Sequence, residues 1–145
     1  MKTGLLILAA FSLAVLNGCA SAEPSTSVVQ SITATPTPPA DGGSFSTLAE
    51  LQEAYVAAGG DCGNLDQANN VKLAAESGNC NDQTVISTYI STADVSQVIQ
   101  NVKALNEEID FQSDDVWLTG QNWIINGPDA ADMQEKLGGR LVSFK

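Results

Sequence analysis

The chain has 145 residues, with 6 Lys+Arg against 17 Asp+Glu, no histidine and three cysteines. That length holds one domain at most, and a formal net charge of −11 argues against nucleic acid or an anionic lipid surface as a partner, since both need a basic face. The lack of histidine removes the commonest general base and the commonest metal ligand together.

At the N-terminus, Lys2 is followed by an apolar run of twelve residues, Leu5 to Leu16. A membrane-spanning helix needs about 20 residues, so the run is too short to cross a bilayer. A charged start and a short apolar stretch are the layout of a secretory signal peptide, here residues 1–18. The next residues, Leu16-Asn17-Gly18-Cys19, resemble the lipobox of bacterial lipoproteins, which is cut just before its cysteine. The resemblance implies that Cys19 begins the mature chain and carries a thioether-linked diacylglycerol, with the protein on the extracytoplasmic face of the cell membrane. Two or three acyl chains hold stably, at about 0.8 kcal/mol per buried CH₂. The alternative is an ordinary signal cleavage at Ala20-Ser21-Ala22.

Residues 20–44 contain Pro24, Pro36, Pro38 and Pro39, many Ser and Thr, and no aromatic residue. This composition buries too little apolar surface to offset chain entropy, so residues 19–44 read as the lipidated cysteine and a disordered tether. Residues 45–145 hold both tryptophans and both tyrosines and form the compact domain. Its two cysteines, Cys62 and Cys80, reach an oxidising space after export, where such a pair forms a structural disulfide.

Within the domain, Thr47 and Glu50 have the spacing of a capping box, and Leu48, Leu51, Tyr55 and Ala58 recur at helical spacing up to Gly59-Gly60. Val71 to Glu76 and the β-branched stretch Thr84 to Ile90 read as strands, with Cys80 between them. Ser91 and Asp94 repeat the cap, and Val95, Val98, Ile99, Val102 and Leu105 form the stripe of a second helix. Val116 to Ile125 reads as a hairpin turning at Gly120-Gln121 with positive-φ glycine, which sets Leu118 opposite Trp123 and Trp117 opposite Ile124. Asp129 to Leu137 forms a short helix stopped by Gly138-Gly139, and Leu141 to Phe144 adds an edge strand. The fold expected is α+β in the order α-ββ-α-ββ-α: an antiparallel sheet of four to five strands with two to three helices packed on one face.

The segments Tyr55 to Cys62, Gly120-Gln121-Asn122-Trp123 and Leu137-Gly138-Gly139, with the second cysteine at Cys80, resemble a group of small actinobacterial lipoproteins. Those proteins join a lipobox, a polar tether and a domain of this size. The group has no assigned activity, so the resemblance implies none and carries over no catalytic residue.

The residues themselves argue against an enzyme: no Ser/His/Asp or Cys/His set and no phosphate-cradling loop is present in the sequence. The acid pairs Glu107-Glu108 and Asp114-Asp115 read as a solvated loop rather than a glycosidase pair. Asp61, Asn64 and Asp66 offer hard oxygen ligands without matching a calcium loop, so no metal and no cofactor is expected. Trp117 and Trp123 point to opposite faces of the hairpin, which sends at least one to the core and leaves the other as a partner-binding candidate. The strand edge near Leu141 is another docking candidate, by strand addition. The function expected is a non-catalytic, membrane-anchored protein-binding module with an unidentified protein partner. The alternative is an acidic lipoprotein that captures cations or small cationic ligands at the envelope.

Overall fold

The computed structural model describes residues 37–111 and 113–145. The signal peptide, Cys19 and most of the tether lie outside the described residues. Eight elements follow in order: α1 (Leu48–Ala58), β1 (Glu76–Asn79), β2 (Val85–Thr88), α2 (Thr92–Glu108), β3 (Val116–Thr119), β4 (Trp123–Asn126), α3 (Ala130–Leu137) and β5 (Arg140–Ser143). The fold is α+β, in the order expected. Both helix caps form as the sequence indicates: Thr47 Oγ1 accepts from Glu50 N at 3.2 Å and Ser91 Oγ from Asp94 N at 3.3 Å. The Glu50 carboxylate accepts from Ser46 N, one residue ahead of the cap, at 2.8 Å, and Leu48 N donates to Glu76 Oε2 at 2.7 Å, so two end amides of α1, those of Leu48 and Glu50, are satisfied.

The five strands form one antiparallel sheet in the order β1-β2-β4-β3-β5. Ile86, Leu118, Trp123 and Ile125 line one face and pack with Leu48, Leu51 and Tyr55 of α1 and Met133 and Leu137 of α3. Ile124, with Trp117 and Tyr89, lies on the other face against Val95, Val98 and Ile99 of α2. Two helices, α1 and α3, therefore share one face, within the two to three expected there, and α2 covers the other. The topology explains the split. The crossovers β2–α2–β3 and β4–α3–β5 each skip one strand and step the same way across the sheet, but they leave from strands that run in opposite directions. Crossovers of one hand must then pass over opposite faces.

Three boundaries differ from the sequence reading. The first strand is Glu76–Asn79 and not Val71 to Glu76, because Leu73 (φ 67°) turns the chain within the segment expected to be extended. In the hairpin, Leu118 is opposite Ile125 and Trp117 opposite Asn126, so the reversal falls at Gln121-Asn122. Gly120 is needed for space rather than for positive φ, since a Cβ there would come within 2.0 Å of Trp123 Nε1.

The third difference concerns the tether. Residues 39–44 belong to the domain, laid as a strap over Trp123. Gly139 N donates to Ala40 O at 3.2 Å, Gln121 N to Gly43 O at 3.0 Å, and Trp123 Nε1 to the carbonyls of Gly42 and Gly43, each at 3.2 Å. The Asn122 amide clamps Phe45 through both its N–H (3.0 Å) and its carbonyl (2.8 Å). These bonds hold the turn at Gln121-Asn122. Gly138 (φ 71°) passes so close to the strap that a Cβ would stand 1.9 Å from Pro39 O.

Candidate functional site

Cys62 and Cys80 are joined, with S–S 1.98 Å and Cα–Cα 4.4 Å. Both are buried, and the bridge fastens the loop after α1 to the end of β1. Its place is structural. Beside it lies a cleft lined by Asn64, Asp66, Asn79, Asn81, Asp82 and Gln83. The sequence flagged Asn64 and Asp66 as oxygen ligands, and the fold adds Asp82 from the next loop. Asp61 does not join them; its main-chain carbonyl accepts from Asn81 Nδ2 at 3.1 Å. Among the described residues, no group of three or more Cys, Asp or Glu could hold a metal ion.

The tryptophans have separate fates. Trp123 is 0 % exposed, beneath the strap and 5.9 Å from the Phe45 ring. It cannot touch a partner, which corrects its place among the binding candidates. The same strap supplies the acceptors its indole N–H requires once buried. Trp117, on the opposite face, is half-buried and meets Phe144 edge-on at 4.6 Å.

Around Trp117 the α2 face stays open. The apolar stripe of α2 runs Val95, Val98, Val102, Leu105, Ile109, and its exposure climbs from 2 % and 9 % at the first two to 53 % and 58 % at the last two. Length accounts for this. A helix of 17 residues spans about 25 Å, whereas strands of four residues span about 13 Å. The second half of α2 therefore outruns the sheet that buries its first half. Phe111, just past the helix, is also more than half exposed.

One flank of this overhang forms a cleft of about 430 Å³ lined by Lys103, Asn106, Glu107, Asp110, Phe111, Phe144 and Lys145. That volume lies in the range of ligand pockets. A smaller hollow of about 160 Å³ shares Asn106, Phe111 and Phe144 with it and reaches Trp117 and Asp115. The Lys145 ammonium lies 2.8 Å from Asp114, both groups well exposed, and it holds the Asp114 carboxyl below the usual carboxylate range. Of the two acid pairs, Glu107 enters the larger cleft and Asp115 the smaller hollow. Phe111, Phe144 and Lys103 were not singled out from the sequence. The signal available was the apolar stripe itself, which continues to Ile109 beyond any length the short strands can cover.

On the strap, the Gln121 amide and the Gly43 N–H hold the exposed Asp41 carboxyl below the usual carboxylate range, and two further perturbed groups lie in the core. Burial pushes the Tyr55 phenol well above its ordinary value, helped by its hydrogen bond to Asp129 Oδ2. Asp129 Oδ1 is buried with no hydrogen-bond partner among the described residues. Tyr89 is likewise pushed up by burial. Tyr55 sits inside the α1/α3 core, so its shift marks packing rather than an open catalytic site.

Comparison of the chain with protein-family models, with curated proteins and with solved structures gave no match.

Proposed function

We propose that the protein is a membrane-anchored extracytoplasmic lipoprotein whose domain is a non-catalytic protein-binding module. The anchor rests on the Leu16-Asn17-Gly18-Cys19 motif and the apolar run before it. The single observation that supports the binding role is the overhanging end of α2, where Leu105, Ile109 and Phe111 stand exposed beside a cleft floored by Phe144. Exposed apolar groups ringed by charge are the usual composition of an interaction surface.

Two measurements test this. Cys19→Ser should release the protein from the membrane fraction; continued membrane association would remove the anchor. A photo-crosslinking residue at Phe111 should join the protein to a discrete partner in intact cells, whereas the same residue at Glu53 on exposed α1 should not. Equal labelling from both sites, or none from either, would end the module reading. The second reading, cation capture, draws on the oxygen-lined cleft at Asp66 and Asp82. Calcium should then raise the melting temperature, and an unchanged melting temperature would dismiss it.

A further inference from the structure

We infer, as a deepening of the protein-binding reading and resting on it, that the partner adds an extended segment to the outer edge of β5. The segment carries a carboxylate beside Arg140 and sets an apolar side chain in the cleft between α2 and Phe144.

The two edges of the sheet are treated differently. At the β1 edge, Asp66 and Asn79 exchange main-chain hydrogen bonds in both directions at 2.9 Å, Asn69 N donates to Ser77 O at 3.0 Å, and Ser77 N donates to Asn69 Oδ1 at 2.9 Å. The loop at 66–69 thus occupies that edge. At the other end β5 pairs with β3 alone, and among the described residues no main-chain group outside β3 bonds to the main chain of Arg140–Ser143. An antiparallel edge strand turns alternate N–H and C=O groups outward, a template that only another strand satisfies in full.

Charge selects the occupant. Residues 136–145 hold Lys136, Arg140 and Lys145 and no acid, inside a chain of net charge −11. Lys136 is committed to the Ala58 carbonyl and Lys145 to Asp114. Arg140 is exposed and forms no salt bridge among the described residues. The one charge on the strand, Arg140, favours a segment that sets a carboxylate beside it, which β5 of a second copy, having no acid, does not supply. The cleft completes the site. It opens where β5 ends, at Phe144 and Lys145, so a strand beside β5 runs toward it. Strand addition takes affinity from main-chain bonds and specificity from a pocket for an alternate side chain.

The test uses the isotopically labelled full-length chain in detergent micelles. The probe is a blocked peptide of alternating glutamate and valine ending in phenylalanine, with a twin in which lysine replaces glutamate. At about ten times its Kd, the acidic peptide should slow exchange of alternate β5 amides about tenfold. Arg140→Glu, at an exposed side chain, should weaken the acidic peptide about fivefold and favour the lysine twin. Leu141→Pro and Val142→Pro give a second check, because the one that removes an outward N–H should abolish binding while the sheet stays intact. Unprotected β5 amides with both peptides, or an affinity indifferent to Arg140→Glu, would overturn strand addition. The outcome is separable from the module reading: Phe111 crosslinks that persist unchanged in Arg140→Glu retain a binding module and reject this edge as its contact.

Discussion

The two faces of the sheet carry similar side chains and reach different ends. On one, α1 and α3 span about 17 Å and 12 Å from their 11 and 8 residues, close to the length of the strands they cover. With the disulfide and the strap they seal Trp123, Leu118 and Ile125 completely. On the other, a single helix twice as long as the strands closes half the face and leaves its own second half in solvent. The lesson is that burial depends on matched lengths as much as on apolar pattern. A continuous stripe becomes core where a sheet lies beneath it and an exposed surface where the sheet has ended.

Substitutions should divide along the same line. Trp123→Ala should cost the most, about 4 kcal/mol, because it empties the sealed face and removes the group that holds the strap. Urea unfolding measures it, and a cost equal to that of Trp117→Ala would erase the distinction between the faces. Removing the bridge with Cys62→Ala and Cys80→Ala should cost about 3 kcal/mol; an unchanged midpoint would mean the loop needs no fastening.

The two tyrosines sharpen the comparison by pH, since Tyr55 lies under the sealed face and Tyr89 under α2. Both folded-state values are raised. Their stabilising contribution is therefore complete below the unfolded value of about 10 and is lost as pH rises through the folded values. The melting temperature should hold up to about pH 10 and fall above it. Phenolate absorbance should appear late, with Tyr55 the later; ionisation of both at the ordinary value in folded protein would contradict their burial.

Smaller effects belong to the open face. Trp117→Ala should cost roughly 1.5 kcal/mol, since the indole is only half-buried. Leu105→Lys and Ile109→Lys should stay within about 0.5 kcal/mol. A loss of several degrees in either would show that the overhang is covered in solution.

The residues that were legible in advance share a property: their structure is set by near neighbours. The caps at Thr47 and Ser91, the stripes of α1 and α2, and the stop at Gly59 depend on hydrogen bonds and periodicities within a few positions. The strap was misread for the converse reason. Ala40, Asp41, Gly42 and Gly43 look like linker by composition, and they are ordered by Trp123, Gln121 and Gly139, about 80 to 100 residues away in sequence. The candidate site was half legible: Trp117, Glu107 and the edge near Leu141 were named, whereas Phe111 and Phe144 gained meaning only when α2 and β5 met.

By itself the sequence determined an acidic chain with a signal-like N-terminus, three helices, the strand segments from Val85 onward and one pair of cysteines placed to close a loop. Tertiary structure decided the hairpin register, the face that each helix covers and which sheet edge stays open. Those choices rest on contacts between distant segments, where the handedness of crossovers and the lengths of helices and strands set which surfaces can meet. No local pattern carries that information.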